Sequence, residues 1–144
     1  METYIGVKMI EAEPCPAWKD SGEHKEGDPG YKVRYPDGYV SWSPKEVFEA
    51  AYYPLEKGDT ISETDVGGFV NEASEEVHTI KGKTTALSVD AINGFAFLEG
   101  SSCVDPANYD EKKGAEICRG RVVDTLWGHL GFVLQWAKYG LNRK

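Results

Sequence analysis

The dipeptide Asn93-Gly94 restricts what this chain can fold into more than any other short segment. It separates two largely apolar runs, residues 84–92 and 95–101, and asparagine followed by glycine readily adopts the positive φ angles of a two-residue hairpin turn. A third run, residues 77–80, ends at Lys81-Gly82-Lys83, which suits a second turn. The pattern therefore predicts a three-stranded antiparallel meander over residues 77–101.

A second set of strands is predicted in the first third of the chain. Residues 31–35 and 39–42 flank Pro36-Asp37-Gly38, a segment typical of the tight turn of a hairpin. Residues 4–10 alternate in part between apolar and polar side chains and predict a further strand. Residues 14–30 are rich in proline, glycine and charge, so we expect an exposed loop there.

A short helix is predicted to follow the first hairpin. Ser43 matches an N-cap, with Pro44 at the first helical position and Glu46 completing a capping box. Its apolar stripe, flanked by Phe48 and Tyr52, is predicted to consist of three side chains at helical spacing: Val47, Ala50 and Ala51.

A second short helix is predicted to precede the meander. Ser62 is followed three residues later by Asp65, a pair that suits a helix N-terminus. Val66, Phe69 and Val70 form its apolar stripe.

A long helical region is predicted over residues 109–139. Apolar residues recur there with a helical period, and these positions should face a core: Ala115, Cys118, Val122, Leu126, Leu130, Val133 and Ala137. Gly128 and Gly131 are expected to break or kink it. Residues 127–136 are apolar on more than one face, which is typical of a deeply buried helix or a subunit interface. Because a chain of 144 residues has little interior to hide such a helix, we expect a homo-oligomer.

These segments together predict an α+β fold. Antiparallel hairpin or meander sheets are each accompanied by a short helix, and the long helical region is C-terminal. The first module is predicted to cover residues 1–57 and the second module residues 60–144. Lys57-Gly58-Asp59 connects them and is too short to act as a long flexible linker.

Charge, hydropathy and the absence of catalytic motifs limit the functions that we expect of this chain. A formal net charge of −8 disfavours sequence-independent binding to DNA or RNA, which relies on lysine and arginine contacts to phosphates. No apolar run reaches the roughly 18 residues of a membrane span, and the N-terminus lacks the pattern of a secretory signal, so we expect a cytoplasmic protein. Cys15, Cys103 and Cys118 lack the paired spacing of a zinc site. Because the sequence also lacks nucleophile-elbow and phosphate-loop motifs, we predict no catalytic residue, metal ion or cofactor.

The segment of residues 101–110 is a candidate ligand site. It joins the predicted sheet to the long helix and contains Asp105 and Asn108. One interpretation is structural, because an aspartate N-cap and an asparagine bonded to backbone groups would explain the composition. The other is that this turn presents backbone N–H groups and polar side chains to a ligand.

Two arginines and two phenylalanines complete the candidate ligand-binding residues. Arg119 and Arg121 are two positions apart on the helix and point about 200° from each other, so they cannot both serve one pocket on one helix face. Each either joins a surface ion pair or contacts an anionic ligand. Phe95 and Phe97 share one face of a strand, where they either pack in the core or stack on a nucleobase.

Several motifs resemble a widespread family of small proteins from tailed phages and prophages. The string Cys-Val-Asp-Pro-Ala-Asn-Tyr-Asp at residues 103–110 carries most of the resemblance, because eight fixed positions rarely match by chance. The resemblance extends over residues 62–137 and includes Asn93-Gly94-Phe95. Residues 30–48 resemble an N-terminal segment fused to several small phage proteins, which implies an adaptor or oligomerisation role.

The phage resemblance implies a counter-defence function. Phage proteins of this size and build include sponges, which bind the cyclic ADP-ribose isomers of Thoeris defence, or the cyclic oligonucleotides of related systems, without cleaving them. The second module resembles the anti-Thoeris sponges, which implies that it binds a cyclic nucleotide signal in the bacterial host cell. Alternatively, the acidic protein inhibits or adapts a host protein by direct contact. An enzyme acting on nucleotides and a virion component are further alternatives.

Overall fold

The computed structural model describes residues 1–143. These residues form two three-stranded antiparallel sheets, two short α-helices and one long α-helix, which confirms the α+β prediction. In chain order the elements are β1 (Glu11–Pro14), β2 (Gly30–Arg34), β3 (Val40–Pro44), α1 (Lys45–Ala51), α2 (Glu63–Phe69), β4 (Glu76–Ile80), β5 (Thr84–Asp90), β6 (Ala96–Ser102) and α3 (Glu111–Tyr139). Short 3₁₀ turns lie at Glu72–Ser74 and Pro106–Asn108.

The described chain divides into two compact units. The first unit contains Met1–Pro54 and the C-terminal residues from Gln135 onward, and the second unit is Leu55–Leu134. The first unit therefore holds β1, β2, β3 and α1, and the second holds α2, β4, β5, β6 and most of α3. A separate function for each predicted module stays a prediction.

The sheet of the first unit has the strand order β1-β2-β3. The predicted hairpin is confirmed, with Val33 of β2 paired to Ser41 of β3. In its turn the N–H of Gly38 donates to the carbonyl of Tyr35 at 2.9 Å. Gly38 has a φ of +90°, a conformation that glycine adopts without a steric penalty.

The strand predicted over residues 4–10 is wrong. β1 begins at Glu11, which pairs with Arg34, the last residue of β2. Residues before Glu11 would lie opposite the hairpin turn that starts at Tyr35, where the neighbouring chain is no longer extended. They therefore have no strand of the described chain to pair with.

The predicted N-cap of the first helix is also wrong. Ser43 lies in β3 and pairs with Tyr31, and the helix begins after Pro44, with no side-chain hydrogen bond at the cap. Because sheet pairing keeps the backbone extended as far as Pro44, the Ser43 hydroxyl is not positioned to cap the helix.

The buried face of α1 is aromatic instead of aliphatic. The predicted face is exposed: Val47, Ala50 and Ala51. Phe48 is buried instead, and its ring stacks on Tyr31 at a centroid distance of 4.1 Å and on Tyr52 at 5.0 Å. Burying these large rings removes more apolar area from water than burying valine and alanine, which explains the rotation of the helix.

The predicted meander of the second unit is confirmed, with the strand order β4-β5-β6. Gly94 has a φ of +86° in the turn between β5 and β6. Lys81 and Gly82 have φ angles of +54° and +67° in the turn between β4 and β5. The β4–β5 turn thus has two consecutive residues with positive φ, whereas in the β5–β6 turn Gly94 has a positive φ and Asn93 does not.

Ser62 caps α2 as predicted. The Ser62 hydroxyl accepts a hydrogen bond from the N–H of Asp65 at 3.1 Å, and the Asp65 carboxylate accepts one from the N–H of Ser62 at 3.0 Å. The same carboxylate accepts a bond from the N–H of Glu56 at 3.0 Å. Burial opposes ionisation of Asp65, but these backbone donors outweigh it and lower the pKa of the carboxyl.

α3 covers one face of the second sheet. The shared core consists of Val66, Leu87, Val89, Ala91, Phe97, Cys118, Val122, Leu126 and Leu130. The predicted break at Gly128 and Gly131 is wrong, because α3 continues as one helix of 29 residues; glycine weakens a helix but keeps both backbone hydrogen-bonding groups. Val133 is 45% exposed instead of buried, since it lies beyond the part of α3 that contacts the sheet.

Candidate functional site

The turn from β6 to α3 contains residues 103–110, the signature string that carries the resemblance described above. The carboxylate of Asp105 accepts a hydrogen bond from the N–H of Ala107 at 2.9 Å and so caps the 3₁₀ turn. The carboxylate of Asp110 accepts a bond from the N–H of Lys112 at 3.0 Å, at the start of α3. These contacts support the structural interpretation of the string.

Tyr109 anchors the same turn to the sheet. Its hydroxyl lies 2.8 Å from the hydroxyls of both Thr79 and Thr85, and Glu111 accepts a bond from Thr79. Thr85 is fully buried, so its hydroxyl needs this partner.

Asn108 lies at the surface of the turn. Its N–H donates to the carbonyl of Asp105 at 3.0 Å, while Asn108 as a whole is exposed. Val104 is 97% exposed. The turn is therefore an open surface, with its two aspartates occupied as caps.

Arg119 is engaged by an acidic side chain. Its Nε lies 2.9 and 2.8 Å from the two carboxylate oxygens of Glu75, and Nη2 also donates to Glu75. The Glu75 side chain is only 12% exposed. The hydrogen bond from Arg119 lowers the pKa of the Glu75 carboxyl, despite the opposing effect of burial. Arg119 therefore fits the ion-pair interpretation.

Arg121 points to the other edge of the sheet. Its Nη1 donates to the carbonyl of Gly100 in β6, whereas Arg119 reaches Glu75 beside β4. The predicted divergence of the two arginines is confirmed. Arg121 is exposed and has no acidic partner among the described ion pairs, so it keeps donors for another group.

Phe95, Phe97 and His129 form an aromatic cluster at the β5–β6 turn. The two phenylalanine rings meet edge to face with centroids 5.2 Å apart. The His129 ring lies 5.8 Å from Phe95 and 5.7 Å from Phe97. Phe97 is 8% exposed and belongs to the core, whereas Phe95 is 55% exposed. The cluster thus holds two exposed rings, those of Phe95 and His129, against the buried ring of Phe97.

A shallow groove adjoins this cluster on the surface of α3. Gly128, His129, Phe132 and Val133 line it, and its volume is about 410 Å³. Phe132 is 73% exposed. We call Phe95, His129, Phe132 and Val133 the aromatic patch. A contiguous exposed apolar surface of this kind is typical of an interaction site.

The predicted ligand residues do not converge on one pocket. The phenylalanines lie at the end of the sheet that contains the β5–β6 turn, and Asp105 and Asn108 follow Ser102 at the opposite end. Phe97 and Ser102 are five residues apart in one strand, which corresponds to about 16 Å. The second unit therefore offers two separate surfaces, of which only the aromatic patch has an exposed ring.

Sequence reasoning missed His129 and Phe132 as candidate residues. His129 lies seven residues after Val122 and three after Leu126, so the helical period placed it on the core stripe beside the sheet. That spacing, together with Phe95 and Phe97 shortly after Asn93-Gly94, was the sequence signal for this cluster. Phe132 is on the adjoining flank, one turn after Gly128.

Neither a cluster of metal ligands nor a membrane-spanning helix is found among the described residues. No three His, Cys, Asp or Glu side chains of residues 1–143 converge as metal ligands. No helix within the same residues has the length and apolar character needed to cross a membrane.

A comparison with protein-family models gives a match over the whole second unit. The model of the phage protein (N4 Gp49/phage Sf6 gene 66) family matches residues 55–137, which is more than half of the chain. The chain belongs to this phage protein family. The resemblance drawn from the signature string is thereby confirmed at the level of the family.

The N4 Gp49/phage Sf6 gene 66 match coincides with the structural division. It begins at residue 55, where the second unit begins, and ends near the C-terminus of α3. Every candidate ligand residue therefore lies within the family region. No curated protein and no solved structure matches the chain.

Proposed function

We propose that this phage protein acts by binding through the aromatic patch, and that its ligand is a cyclic nucleotide signal of the bacterial host's defence, which it sequesters without cleaving. The observation that supports this proposal is the Phe95 ring, which is 55% exposed yet held by two neighbouring rings. A fixed, solvent-facing ring can stack on a nucleobase.

Arg121 is the phosphate contact in this proposal. It precedes His129 by eight residues on α3, a distance of about 12 Å along the helix axis. Its guanidinium is bonded to a carbonyl and not to an acid, so it can still donate to a phosphate. Arg119 is unsuitable, because Glu75 already neutralises its charge. We assign no ligand contact to Asp105 or Asn108.

A second copy of the chain would enclose the ligand. The groove beside His129 is shallow, whereas small-molecule sites usually bury most of the ligand surface. A homo-oligomer formed over the exposed residues of α3 would cover both Phe132 and a base stacked on Phe95. The protein would then work in the host cytoplasm, with no catalytic step and no cofactor.

A protein partner is the second candidate occupant of the aromatic patch. The open groove and the exposed rings also suit the apolar centre of a protein–protein interface. The net charge of −8 would favour a basic host protein. In this version the phage protein inhibits or adapts that protein by direct contact.

Calorimetric titration with cyclic ADP-ribose isomers and with cyclic di- and trinucleotides tests the proposal. We expect one ligand to bind, and to be recovered intact by chromatography after heat denaturation of the protein. A ligand consumed with time would indicate an enzyme. If every titration is silent, the nucleotide proposal fails, and a pull-down from infected cells then tests the protein partner.

A matched pair of variants locates the site. Phe95→Ser should weaken binding by about tenfold or more, since stacking contributes about 1–3 kcal/mol per base. Leu98→Ser is the control, because Leu98 is 75% exposed and does not line the groove. Equal binding by both variants would rule out the aromatic patch as the site.

A further inference from the structure

Residues 1–10 have the composition of a β-strand; residues 1–6 and Lys8 are exposed, and Val7, Met9 and Ile10 are half-buried. Tyr4 is 83% exposed and Ile5 is 80% exposed, although aromatic and β-branched residues favour sheets. Within the described chain no backbone hydrogen bond involves these ten residues. Their N–H and C=O groups are thus available to another strand.

This segment leads directly into an edge strand. β1 begins at Glu11, and among residues 1–143 it is paired on one side only, to β2. The pairing ends where Glu11 meets Arg34, so the chain before Glu11 extends past the end of its partner. A strand of a second copy could pair there without displacing any strand of the first unit.

We propose that residues 1–9 of two copies pair as antiparallel strands about a two-fold axis at Ile5. An axis perpendicular to the sheet places residue i opposite residue 10 − i and keeps each side chain on its own face. Glu2 then faces Lys8 of the second copy, Thr3 faces Val7, and Ile5 faces itself.

The charges select this register. Glu2 and Lys8 carry the only charged side chains of the nine, and the axis at Ile5 brings them together twice in each dimer. An axis at Tyr4 would place Glu2 opposite Gly6 and give Lys8 no opposite residue in the segment, and an axis at Gly6 would place Glu2 and Lys8 opposite Ile10 and Tyr4. Opposite charges placed directly across an antiparallel pair are stabilising, and like charges are destabilising.

The uncharged positions are also self-complementary. Tyr4 of one copy lies opposite Gly6 of the other, and an aromatic side chain opposite a strand glycine covers its bare backbone. The polar contacts that this segment makes within one copy are weak. The Tyr4 hydroxyl donates to Glu2 at 3.1 Å, and Lys8 Nζ lies 4.6 Å from the Tyr35 ring centroid. Both can be exchanged for contacts with the second copy at little cost.

A charge-swap series tests the register by sedimentation velocity of the full chain, with any purification tag at the C-terminus. Glu2→Lys and Lys8→Glu should each weaken dimerisation by about tenfold, because two attractive pairs per dimer become repulsive. The double variant Glu2→Lys/Lys8→Glu should restore it. Glu23→Lys, in the exposed loop, controls for the change in net charge.

Cysteine cross-linking tests the position of the axis. Ile5→Cys should form an intermolecular disulfide under mild oxidation, because residue 5 faces itself, whereas Thr3→Cys should behave like the wild-type protein. A monomeric wild-type protein, single charge variants that dimerise normally, or a double variant that stays monomeric would each overturn the proposal. A dimer insensitive to these changes would point to a contact elsewhere, such as α3.

Discussion

Gly114 of α3 packs directly against Thr85 of the second sheet. A Cβ at residue 114 would lie 2.0 Å from the Thr85 hydroxyl oxygen and 2.7 Å from its Cβ. Neither atom belongs to the end of a flexible side chain, and Thr85 is fully buried. The glycine is therefore required by space and not by backbone conformation.

Gly114→Ala is predicted to lower the free energy of unfolding by about 1–3 kcal/mol through overpacking. Gly120→Ala, six residues later in the same helix, meets no atom within 4 Å and should raise it by up to about 1 kcal/mol. Urea denaturation of both variants checks the prediction. A stable Gly114→Ala variant would show that the helix can move away from the sheet.

The Glu75–Arg119 pair gives a pH-dependent contribution to stability. Arg119 lowers the pKa of Glu75 in the folded state, so the contribution is complete above the unfolded pKa, about 4.3. It is lost as the pH falls through the folded pKa. Glu75→Gln should cost about 1 kcal/mol at neutral pH, a value reduced by the partial exposure of Arg119.

Urea denaturation across a pH series measures this effect. The difference between the wild type and Glu75→Gln should shrink below about pH 4. Glu76→Gln is the control, because the Glu76 side chain is 74% exposed and should show little difference at any pH. An equal loss at low and neutral pH would mean that the ionised pair is not the cause.

The N-terminus of α2 depends on one buried carboxylate. Asp65 is 3% exposed and accepts hydrogen bonds from the backbone of Ser62 and Glu56. Asp65→Asn replaces one acceptor with a donor and should cost about 2 kcal/mol. Glu63→Gln is the control in the same turn, since Glu63 is exposed. Thermal denaturation checks both variants, and equal stability would mean that the capping box is dispensable.

Turns and helix caps that depend only on residues close together in the chain were predictable from the sequence. The turns at Asn93-Gly94 and Gly38 and the capping box at Ser62 depend on neighbouring residues, and each was found where expected. The errors arose where sheet pairing decided the outcome. Ser43 has the composition of a cap but is held in β3 by its pairing with Tyr31. Residues 4–10 have the composition of a strand, but they have no pairing partner in the described part of the chain.

For the whole molecule, the fold class was accessible from the sequence and the shape of the site was not. Periodicity identified α3 and most of its core face. It could not reveal that the His129 ring lies beside Phe95 and Phe97, because that contact depends on how α3 packs on the sheet. It also could not assign Glu75 to Arg119, which are distant in sequence and meet only through packing of the helix on the sheet.

The central claim is that the aromatic patch is the binding surface, and two-dimensional NMR of labelled protein titrated with the nucleotide panel tests it most directly. The amide resonances of Phe95 and of residues 128–133 are predicted to shift in a saturable manner, while those of residues 103–110 remain in place. Saturable shifts confined to residues 103–110, or to the first unit, would contradict the account and assign binding to another surface.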